Sequence, residues 1–549
     1  MFRAISDKMP QLPGLTPRGR ALLARDKFIE GTFYDHLSYD FYAENDDSGY
    51  VPIIERRPSV QYNLPRRTAL SCARKLFSTR HVPRFALDGD PELLAAINTL
   101  VAATQLRRRM LNIAFHGSIG SVAVTFTVSK REAGRVPAID FDVWRGWQCA
   151  PSFDNQGELA KLRVCVPTKG GKLGGTAFES PRDSDGEEIE SESGYWVVRD
   201  YLPDREVNYM PVAMDGLEEA ESPFVSDAKL KEFEDREPVV HGLGFVPGHW
   251  FVNLTGGDPP DGAATWEAAK NIAIEIDYTA SQLGRGIRYN AAPQLVVQGR
   301  LINASLGNRL VRSPSHVLQF DATRKEYSGE VTQGGDAKLL EMTGGGINSG
   351  LEYLKELRKL ALEAIAMSRK DPDKLSAAQS GIAMMLIDED YVDLADELMT
   401  NYGECGYLPL TKKLVIAASK FGHPLFKSID ALDELALNRP RVYPPGAGEL
   451  MQLSTAFHMF LEDKVIDREQ AEYLLDGQID LPIKRAPLAT DIEAGAPAPK
   501  PVEVVSDGAP SAGGTDDQAP AANAPEDPML RRMSQTAPAG LEMRISGAG

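Results

Sequence analysis

Two amphipathic segments in the middle of the chain dominate its pattern of hydrophobic and polar positions. Each repeats apolar residues three and four positions apart, which is the spacing of one helix face. The first segment begins at Trp266 and meets Pro293, which cannot continue a helix, and the second follows the glycines at 344–346. The pattern therefore predicts helices over 266–290 and 347–367. The apolar positions that we expect to face a neighbour are Ile272, Ile276, Leu283, Leu351, Leu354 and Leu357.

Residues 291–346, between these two segments, show no helical pattern. Short apolar runs at 294–298 and 310–320 indicate strands. At the far end, Ser349 and Glu352 have the spacing of a capping box, in which each side chain satisfies a backbone N–H at the start of a helix. Two helices that enclose a small region with strands indicate a mechanical arrangement rather than a catalytic motif.

The part of the chain before these segments combines helices with strands. A helix is predicted over 64–77, and a longer one over 91–115 that ends at His116-Gly117-Ser118. Residues 239–254 indicate a strand, a turn and a strand. Alternation of apolar and polar residues predicts strands that we expect to form one sheet: 122–128, 139–143, 162–166 and 195–201.

The ends of the chain differ in composition from its middle. Residues 1–48, polar and aromatic, indicate an arm that docks on another surface, and 169–193, rich in glycine and then in acidic residues, indicate an exposed loop. Residues 381–480 are predicted to be mostly helical. From about Leu481 the composition changes to Ala, Pro, Gly, Asp and Ser, which lacks the apolar density to offset the entropy of ordering. A disordered tail over 481–549 is therefore expected.

Charge and cysteine content restrict the classes of function. The 549 residues carry a formal net charge of −18, which argues against a protein that coats nucleic acid through a basic face. The four cysteines are scattered without Cys-x-x-Cys spacing, so a reducing compartment fits best. No run of eighteen apolar residues and no signal sequence is found, and we expect no membrane partner.

Motifs for catalysis or cofactor binding are weak throughout. Glycines at 242–248 and 344–350 resemble nucleotide-binding patterns only loosely, and a turn between strands and a flexible helix entry are the better interpretations. His249 beside Trp250 indicates a packed aromatic pair rather than a metal ligand. The acidic run that begins at Asp388 is consistent with a metal site, although a solvated helix face fits better. We assign no catalytic, cofactor-binding or metal-binding residue.

Two basic groups have two open interpretations each. The densest group could face nucleic acid or an acidic neighbour, or be a solvated surface; it consists of Arg56, Arg57, Arg66, Arg67, Arg74 and Lys75. Arg369, Lys370 and Lys374 lie in the charged break after the second amphipathic segment. They are candidates for contact with a phosphate backbone, and an ordinary loop between helices has the same composition.

The order of these elements, from about 59 to 480, resembles the portal proteins of tailed bacteriophages, the dodecameric head-to-tail connector family. No single motif is specific, but their order and spacing are. The motifs that carry the resemblance are Val60-Gln61-Tyr62-Asn63-Leu64 before a helix, Phe115-His116-Gly117-Ser118 before strands, GLGFVPGHWFVN at 242–253, AAPQLVVQG at 291–299, and Ser380-Gly381-Ile382-Ala383. The segment 439–475, a proline-rich strand and a helical hairpin, is similar to the last wing or crown segment of the family.

The resemblance implies an α+β, portal-type ring subunit: a mixed α/β wing, a helical stem, a small α/β clip, a helical C-terminal wing or crown, and a disordered tail. Its expected divisions are an arm at 1–58, the wing at 59–265, stem helices at 266–290 and 347–367, the clip at 291–346, a tunnel loop at 368–380, the crown at 381–480 and the tail at 481–549.

The resemblance also implies a function and partners. Twelve copies would form a ring at one capsid vertex, an axial channel for packaging and ejecting double-stranded DNA without sequence specificity. The ring would dock the terminase large subunit, the head-to-tail adaptor, and the major capsid and scaffold proteins. It would be part of the virion, assembled in the bacterial cytoplasm, without cofactor or enzymatic activity. A cyclic contact between copies would cover the apolar stripes of the helix pair, and a net acidic channel would not grip DNA tightly.

Two other classes of function stay open. One is a capsid-associated scaffold or maturation protein, which would have more coiled coil. The other is an enzyme with an unrecognised active site in the sheet region, 122–254, although no catalytic pair can be named there.

Overall fold

A computed structural model describes residues 1–47, 49–78, 82–87, 90–129, 137–169, 172–173, 176–177, 191–227, 230, 238–291, 294–299, 323–324, 331–332, 335–340, 345–367, 389–439 and 447–462. The chain divides into two units, Met1–Leu481 and Pro482–Gly549, and the described residues belong to the first. Their fold is α+β. The predicted strand at 310–320, the tunnel loop at 368–380, residues 463–475 of the predicted helical hairpin and the tail at 481–549 lie outside the described residues.

The helices of this unit occur mainly before and after its sheets. The α-helices are Phe2–Ser6, Pro17–Glu30, Leu64–Phe77, Pro91–Ala103, Leu106–Gly117, Lys270–Ala291, Gly345–Ala364, Glu389–Met399, Leu408–Lys420 and Ala447–Glu462, with a π-helical segment, Thr400–Tyr407. The helix Leu64–Phe77 has the predicted bounds. The Asn63 side chain caps its first turn by accepting a hydrogen bond from Arg66 N, and Pro65 lies in that turn, where no N–H is needed.

The prediction of a single long helix over 91–115 is wrong. Two helices, Pro91–Ala103 and Leu106–Gly117, are separated by Thr104 and Gln105. The Thr104 hydroxyl donates to Leu100 O at 2.8 Å, and Gln105 has a left-handed φ of 52°. This break changes the direction of the chain, so that both helices bury their apolar faces in the same core.

The strands form two main sheets, not the one sheet that was expected. The smaller sheet has the antiparallel order Gly248–Val252, Ser121–Ser129, Ala138–Arg145. A 3-10 turn, Gly146–Gln148, leads from it into the larger sheet and so separates strands that are neighbours in sequence. The larger sheet has the order Val239–Val240, Arg205–Asn208, Tyr195–Tyr201, Leu159–Thr168, Cys149–Phe153, and Val212–Ala213 also pairs with Tyr195–Tyr201.

Short strand pairs complete the described structure. They are Tyr39–Asp40 with Arg56–Arg57, Asn45–Asp46 with Gly49–Tyr50, Arg84–Ala86 with Ala436–Asn438, Lys172–Leu173 with Thr176–Ala177, Gln294–Gly299 with Gly335–Leu340, and Thr323–Arg324 with Val331–Thr332.

Two large apolar clusters hold these elements together. One joins Leu64–Phe77, the two following helices, the smaller sheet and the C-terminal helices, and it includes Ile97, Ile113, Val124 and Leu414, each at most 1% exposed. The other joins the N-terminal residues to the helices Lys270–Ala291 and Gly345–Ala364. The second cluster forms the base of the candidate site.

Candidate functional site on the helical hairpin

The two amphipathic segments form a helical hairpin, with the first hairpin helix at Lys270–Ala291 and the second at Gly345–Ala364. The two helices pack against each other, and at 22 and 20 residues they are about 33 and 30 Å long. Between them, Gln294–Gly299 pairs antiparallel with Gly335–Leu340, from Gln294 opposite Leu340 to Gly299 opposite Gly335. The predicted helix–strand–helix order and the strand at 294–298 are therefore present.

The starts of both hairpin helices differ from the prediction. A 3-10 turn, Glu267–Ala269, precedes the first helix, which therefore begins at Lys270 rather than Trp266. The second helix begins at Gly345, so that Ser349 lies inside it. Ser349 and Glu352 consequently do not form the predicted N-terminal capping box. Glycine disfavours a helix by only about 1 kcal/mol, and packing against a neighbouring helix can offset that cost.

The base of the hairpin is part of the chain's own core. Ile276 on the first helix, Leu357 and Ala361 on the second, and Ile365 directly after it are each at most 8% exposed. Trp266, which is 1% exposed, packs edge-on against Phe28, with ring centroids 5.4 Å apart. Large buried aromatic rings are among the strongest contributors to core packing. The base of the hairpin is therefore anchored to the N-terminal region of the same chain.

The N-terminal segment, predicted to be a docking arm, contacts the first hairpin helix along its length. At the start of this helix, Phe2 N donates to the side chain of Asn271 at 3.0 Å. Further along, Tyr278 Oη donates to Arg56 O at 3.0 Å, and the Arg288 guanidinium lies 4.9 Å from the ring centre of Tyr42. The surface on which this arm docks is thus a helix of its own chain.

Asp277 is the central polar residue of this contact. Its carboxylate accepts from Tyr34 Oη at 3.0 Å and from Tyr62 N at 2.7 Å. One turn later, the Ser281 hydroxyl accepts from Val60 N at 3.0 Å. Burial raises the pKa of Asp277 to about 6, although both hydrogen bonds oppose the shift, and it also raises the pKa of Tyr34.

The flanks of the hairpin expose apolar side chains. Ile287, Leu351, Tyr353 and Leu360 are 49%, 41%, 50% and 51% exposed. Tyr353 and Leu360 are seven residues apart and so share one face of the second helix. These side chains are available to a further surface.

The six predicted stem residues occupy three environments. Ile276 and Leu357 are buried within the chain, so their apolar surface is already covered. Ile272, Leu283 and Leu354 are half-buried, and Leu351 is exposed. The sequence analysis did not predict Tyr353 and Leu360 as contact residues, because they lie off the main apolar stripe. Their position as apolar residues on an otherwise polar face is the sequence feature that could have indicated them.

The channel candidates Arg369, Lys370 and Lys374 lie outside the described residues, and so does Asp388. On the following helix, Glu397 accepts from the backbone and hydroxyl of Thr255 at 2.9 and 2.7 Å. Within the described ranges, no group of three or more His, Cys, Asp or Glu side chains has a geometry able to hold a metal ion.

His249 packs against an aromatic ring, but its partner is Phe251 rather than the predicted Trp250, because adjacent residues of a strand point to opposite faces. The two ring centres lie 4.8 Å apart, and burial lowers the pKa of His249 to about 3. The glycines at 242 and 244 lie in the connection between the strands Val239–Val240 and Gly248–Val252, with φ values of 63° and 82°, and their N–H groups donate to Asp204 O and Pro203 O. A turn between strands is therefore the correct interpretation of these glycines.

Charged groups in the larger sheet bind one another. Arg163 makes a bidentate ion pair with Asp200, with N–O distances of 2.7 and 2.8 Å, and Tyr209 Oη and Lys161 Nζ also bind Asp200 at 3.0 Å. A buried carboxylate with this many donors has its charge balanced within the protein. The network connects the neighbouring strands Leu159–Thr168 and Tyr195–Tyr201, and Arg163 also donates to Pro223 O in the segment that follows the sheet.

The densest basic group, on the strand Arg56–Arg57 and the helix Leu64–Phe77, divides into buried and exposed members. Arg56 is 1% exposed and donates to Val51 O, while Arg57 pairs with Asp40 at 2.9 Å. Arg66 donates to Ile29 O at 3.4 Å. A concavity of about 440 Å³ on the exposed side of the helix is lined by Arg67, Leu70, Ser71, Arg74, Lys75 and Ser78.

Comparisons with known proteins leave the family open. No family model matches the chain, and no curated protein matches it. A solved virion of a native gene transfer agent particle contains a chain 10% identical, with a TM-score of 0.31, over 75% of this chain and 88% of that one. The neck of an empty gene transfer agent particle, computed with C6 symmetry, contains a chain that is 11% identical, with a TM-score of 0.31, over 79% of this chain and 93% of that one. Scores of this size do not relate two folds, so no property of either particle is carried to this chain.

Among the helices that the structure describes, none is both long and apolar enough to cross a bilayer.

Proposed function

We propose that this chain is the subunit of a bacteriophage portal, a ring at one capsid vertex through which double-stranded DNA enters and leaves. The observation that carries the proposal is the helical hairpin: two packed helices of about 30 Å, enclosing a small strand pair, whose base is anchored in the chain's core. The motif order of the portal resemblance places the stem and the clip in this same segment.

The exposed flanks of the hairpin support assembly into a ring. Ile287, Leu351, Tyr353 and Leu360 leave about half of each side chain in water. Full burial of such a side chain contributes roughly 1.5–3 kcal/mol. A head-to-tail contact between copies covers the flank of one hairpin with the flank of the next, and it closes into a ring if the rotation per copy allows.

The charge of the chain suits a channel. A net charge of −18 favours weak, sequence-independent contact with DNA, because each phosphate that is neutralised releases counterions and tightens the grip. In this proposal the packaging motor, the terminase large subunit, supplies the energy, and the chain itself performs no chemistry. The head-to-tail adaptor and the capsid and scaffold proteins are the other proposed partners, with the virion as the location.

Particle size tests the proposal directly. Twelve copies of a 60.0 kDa chain have a mass of roughly 720 kDa. Mass photometry of the full-length protein should give a species of that size, and negative-stain electron microscopy should show rings with a central hole. A chain that stays monomeric at every concentration, alone and with capsid and scaffold proteins, would contradict the proposal.

The same measurement separates the two alternatives. A scaffold or maturation protein is expected to form elongated or heterogeneous species without a central hole. An enzyme with its site in the region 122–254 is expected to form a small oligomer at most.

A further inference from the structure

The exposed face of the helix Leu64–Phe77 is a local basic surface on an acidic protein. The helix contains four cationic residues and no acidic residue, whereas the whole chain has a net charge of −18. Positions 67, 71, 74 and 75 share one helix face, and together with Leu70 and Ser78 they line the concavity of about 440 Å³. Its described lining thus offers three cations and two hydroxyls, and no carboxylate.

Two guanidinium groups are brought close together at the N-terminal end of this surface. Arg67 Nη1 and Arg358 Nη2 both donate to the hydroxyl of Tyr62, at 2.6 and 3.0 Å. Both also lie over its ring, with the guanidinium carbons 5.0 and 4.8 Å from the ring centre. Within the described residues neither makes an ion pair with a carboxylate. Two like charges so placed repel each other, and a bound anion would relieve that repulsion.

We infer that this concavity binds the phosphate backbone of nucleic acid. Arg67 and Arg74 are seven residues apart, which is about 10 Å along the helix axis. That distance corresponds to about three successive phosphates of one DNA strand, at roughly 3.4 Å each along the duplex axis. Arginine forks and hydroxyls are donors that suit phosphate oxygens.

The lining favours nucleic acid over an acidic protein segment. The centre of a protein interface needs apolar or aromatic anchors, and Leu70 is the single apolar residue in the described lining. The contact is sequence-independent, because cations and hydroxyls directed at phosphates carry no base information. The choice of nucleic acid as the anion rests on the proposed function, but the surface differs from the predicted channel residues at 369–374.

Fluorescence anisotropy with a labelled 20-base-pair duplex, titrated with full-length protein over a range of NaCl concentrations, tests the inference. Each lost phosphate contact lowers the slope of log K against log salt by about 0.9. The double variant Arg67→Gln/Arg74→Gln should therefore bind the duplex more weakly and reduce the slope by about 2. The matched control, Arg205→Gln/Lys427→Gln, removes two exposed cations outside the concavity and should retain the wild-type slope.

Several outcomes would overturn the inference. One is an equal slope for the double variant and its control. Another is polyglutamate competing with the duplex more strongly than inorganic phosphate does, and losing affinity in the double variant, which would assign the surface to an acidic protein partner. Mass photometry on the same samples separates the two proposals. If the protein forms rings but the double variant has the wild-type slope, only this inference is rejected. If the protein is monomeric but the double variant has the smaller slope, only the portal proposal is rejected.

Discussion

Asp277 connects three parts of the chain through one carboxylate. Tyr34 and the backbone of Tyr62 both donate to it, and the residue is 2% exposed. Burial raises its pKa from 3.8 to about 6, so the folded chain holds the proton more tightly than the unfolded chain does. Its contribution to stability is therefore fully present below about pH 4 and is lost as the pH rises through about 6.

The variant Asp277→Asn should remove this pH dependence. Linkage between a pKa of 3.8 and one of about 6 gives a loss on the order of 1 kcal/mol in the wild-type free energy of unfolding between pH 5 and pH 8. In urea unfolding at the two pH values, the free energy of unfolding of the variant should therefore fall by that amount less than the free energy of unfolding of the wild type. The exposed Asp204→Asn serves as the control and should follow the wild type. If Asp277→Asn also follows the wild type, this carboxyl does not control the transition.

The sequence predicts that a helix ends at Gly117, but it does not show why the side chain at this position must be so small. The sequence indicates His116-Gly117-Ser118 as the end of a helix, and the helix does end at Gly117. A Cβ at this position would collide with the hydroxyl of Tyr402, which is fully buried and donates to Asn253 Oδ1 at 3.1 Å. The close approach involves a residue nearly three hundred positions away, which no local pattern contains.

At the scale of elements, the exposed flank of the second hairpin helix is the feature with the clearest consequence. Tyr353 and Leu360, which share one face of this helix, are 50% and 51% exposed. If copies of the chain pack along this face, the variant Tyr353→Ser/Leu360→Ser should weaken association at least tenfold, since losing half the burial of one such side chain costs roughly 0.75–1.5 kcal/mol and the variant loses two. The protein concentration at which the large species appears, measured by mass photometry, should rise accordingly.

The matched control for this flank is Glu352→Ser/Lys355→Ser, a pair that lies off the face of Tyr353 and Leu360. Both side chains are exposed on the same helix, and the pair changes no net charge. Circular dichroism should show equal helix content in both variants. An unchanged assembly threshold in Tyr353→Ser/Leu360→Ser would assign the interface to another surface.

Elements with a strong local signal were predictable from sequence. The helix Leu64–Phe77 and the strand Tyr195–Tyr201 have their predicted bounds, because apolar spacing and flanking residues define both locally. The split at Thr104 and Gln105 was not predictable, since the apolar spacing runs on across it and only packing selects the break.

The site was predictable in outline and not in detail. The hairpin follows from two apolar stripes, but which members of the stripes are exposed depends on contacts with distant segments. Ile276 is covered by the N-terminal residues, to which no periodicity relates it. The same long-range packing separates the strands into two sheets, which their alternation alone does not indicate.

At the scale of the whole molecule, the boundary between the two units follows Leu481. Composition changes at about the same residue, and the segment that follows is rich in Ala, Pro and Gly. Deletion of residues 482–549 should therefore leave the melting temperature of the remaining unit within about 2 °C of the full-length value, because a segment of this composition is expected to contribute little to the free energy of unfolding. Differential scanning calorimetry of the two proteins provides the comparison, and a drop of more than about 5 °C would show that the tail packs on the first unit.

The contact between the N-terminal segment and the first hairpin helix has a consequence for synthesis. Tyr34 and Asp277 are separated by 243 residues. At roughly 5 to 20 residues per second, a ribosome adds the aspartate about 12 to 50 s after the tyrosine. During that interval Phe2, Phe28 and Phe33 lack the helix against which they pack in the finished chain. The newly made segment 2–34 therefore exposes aromatic side chains until the helix Lys270–Ala291 has been translated.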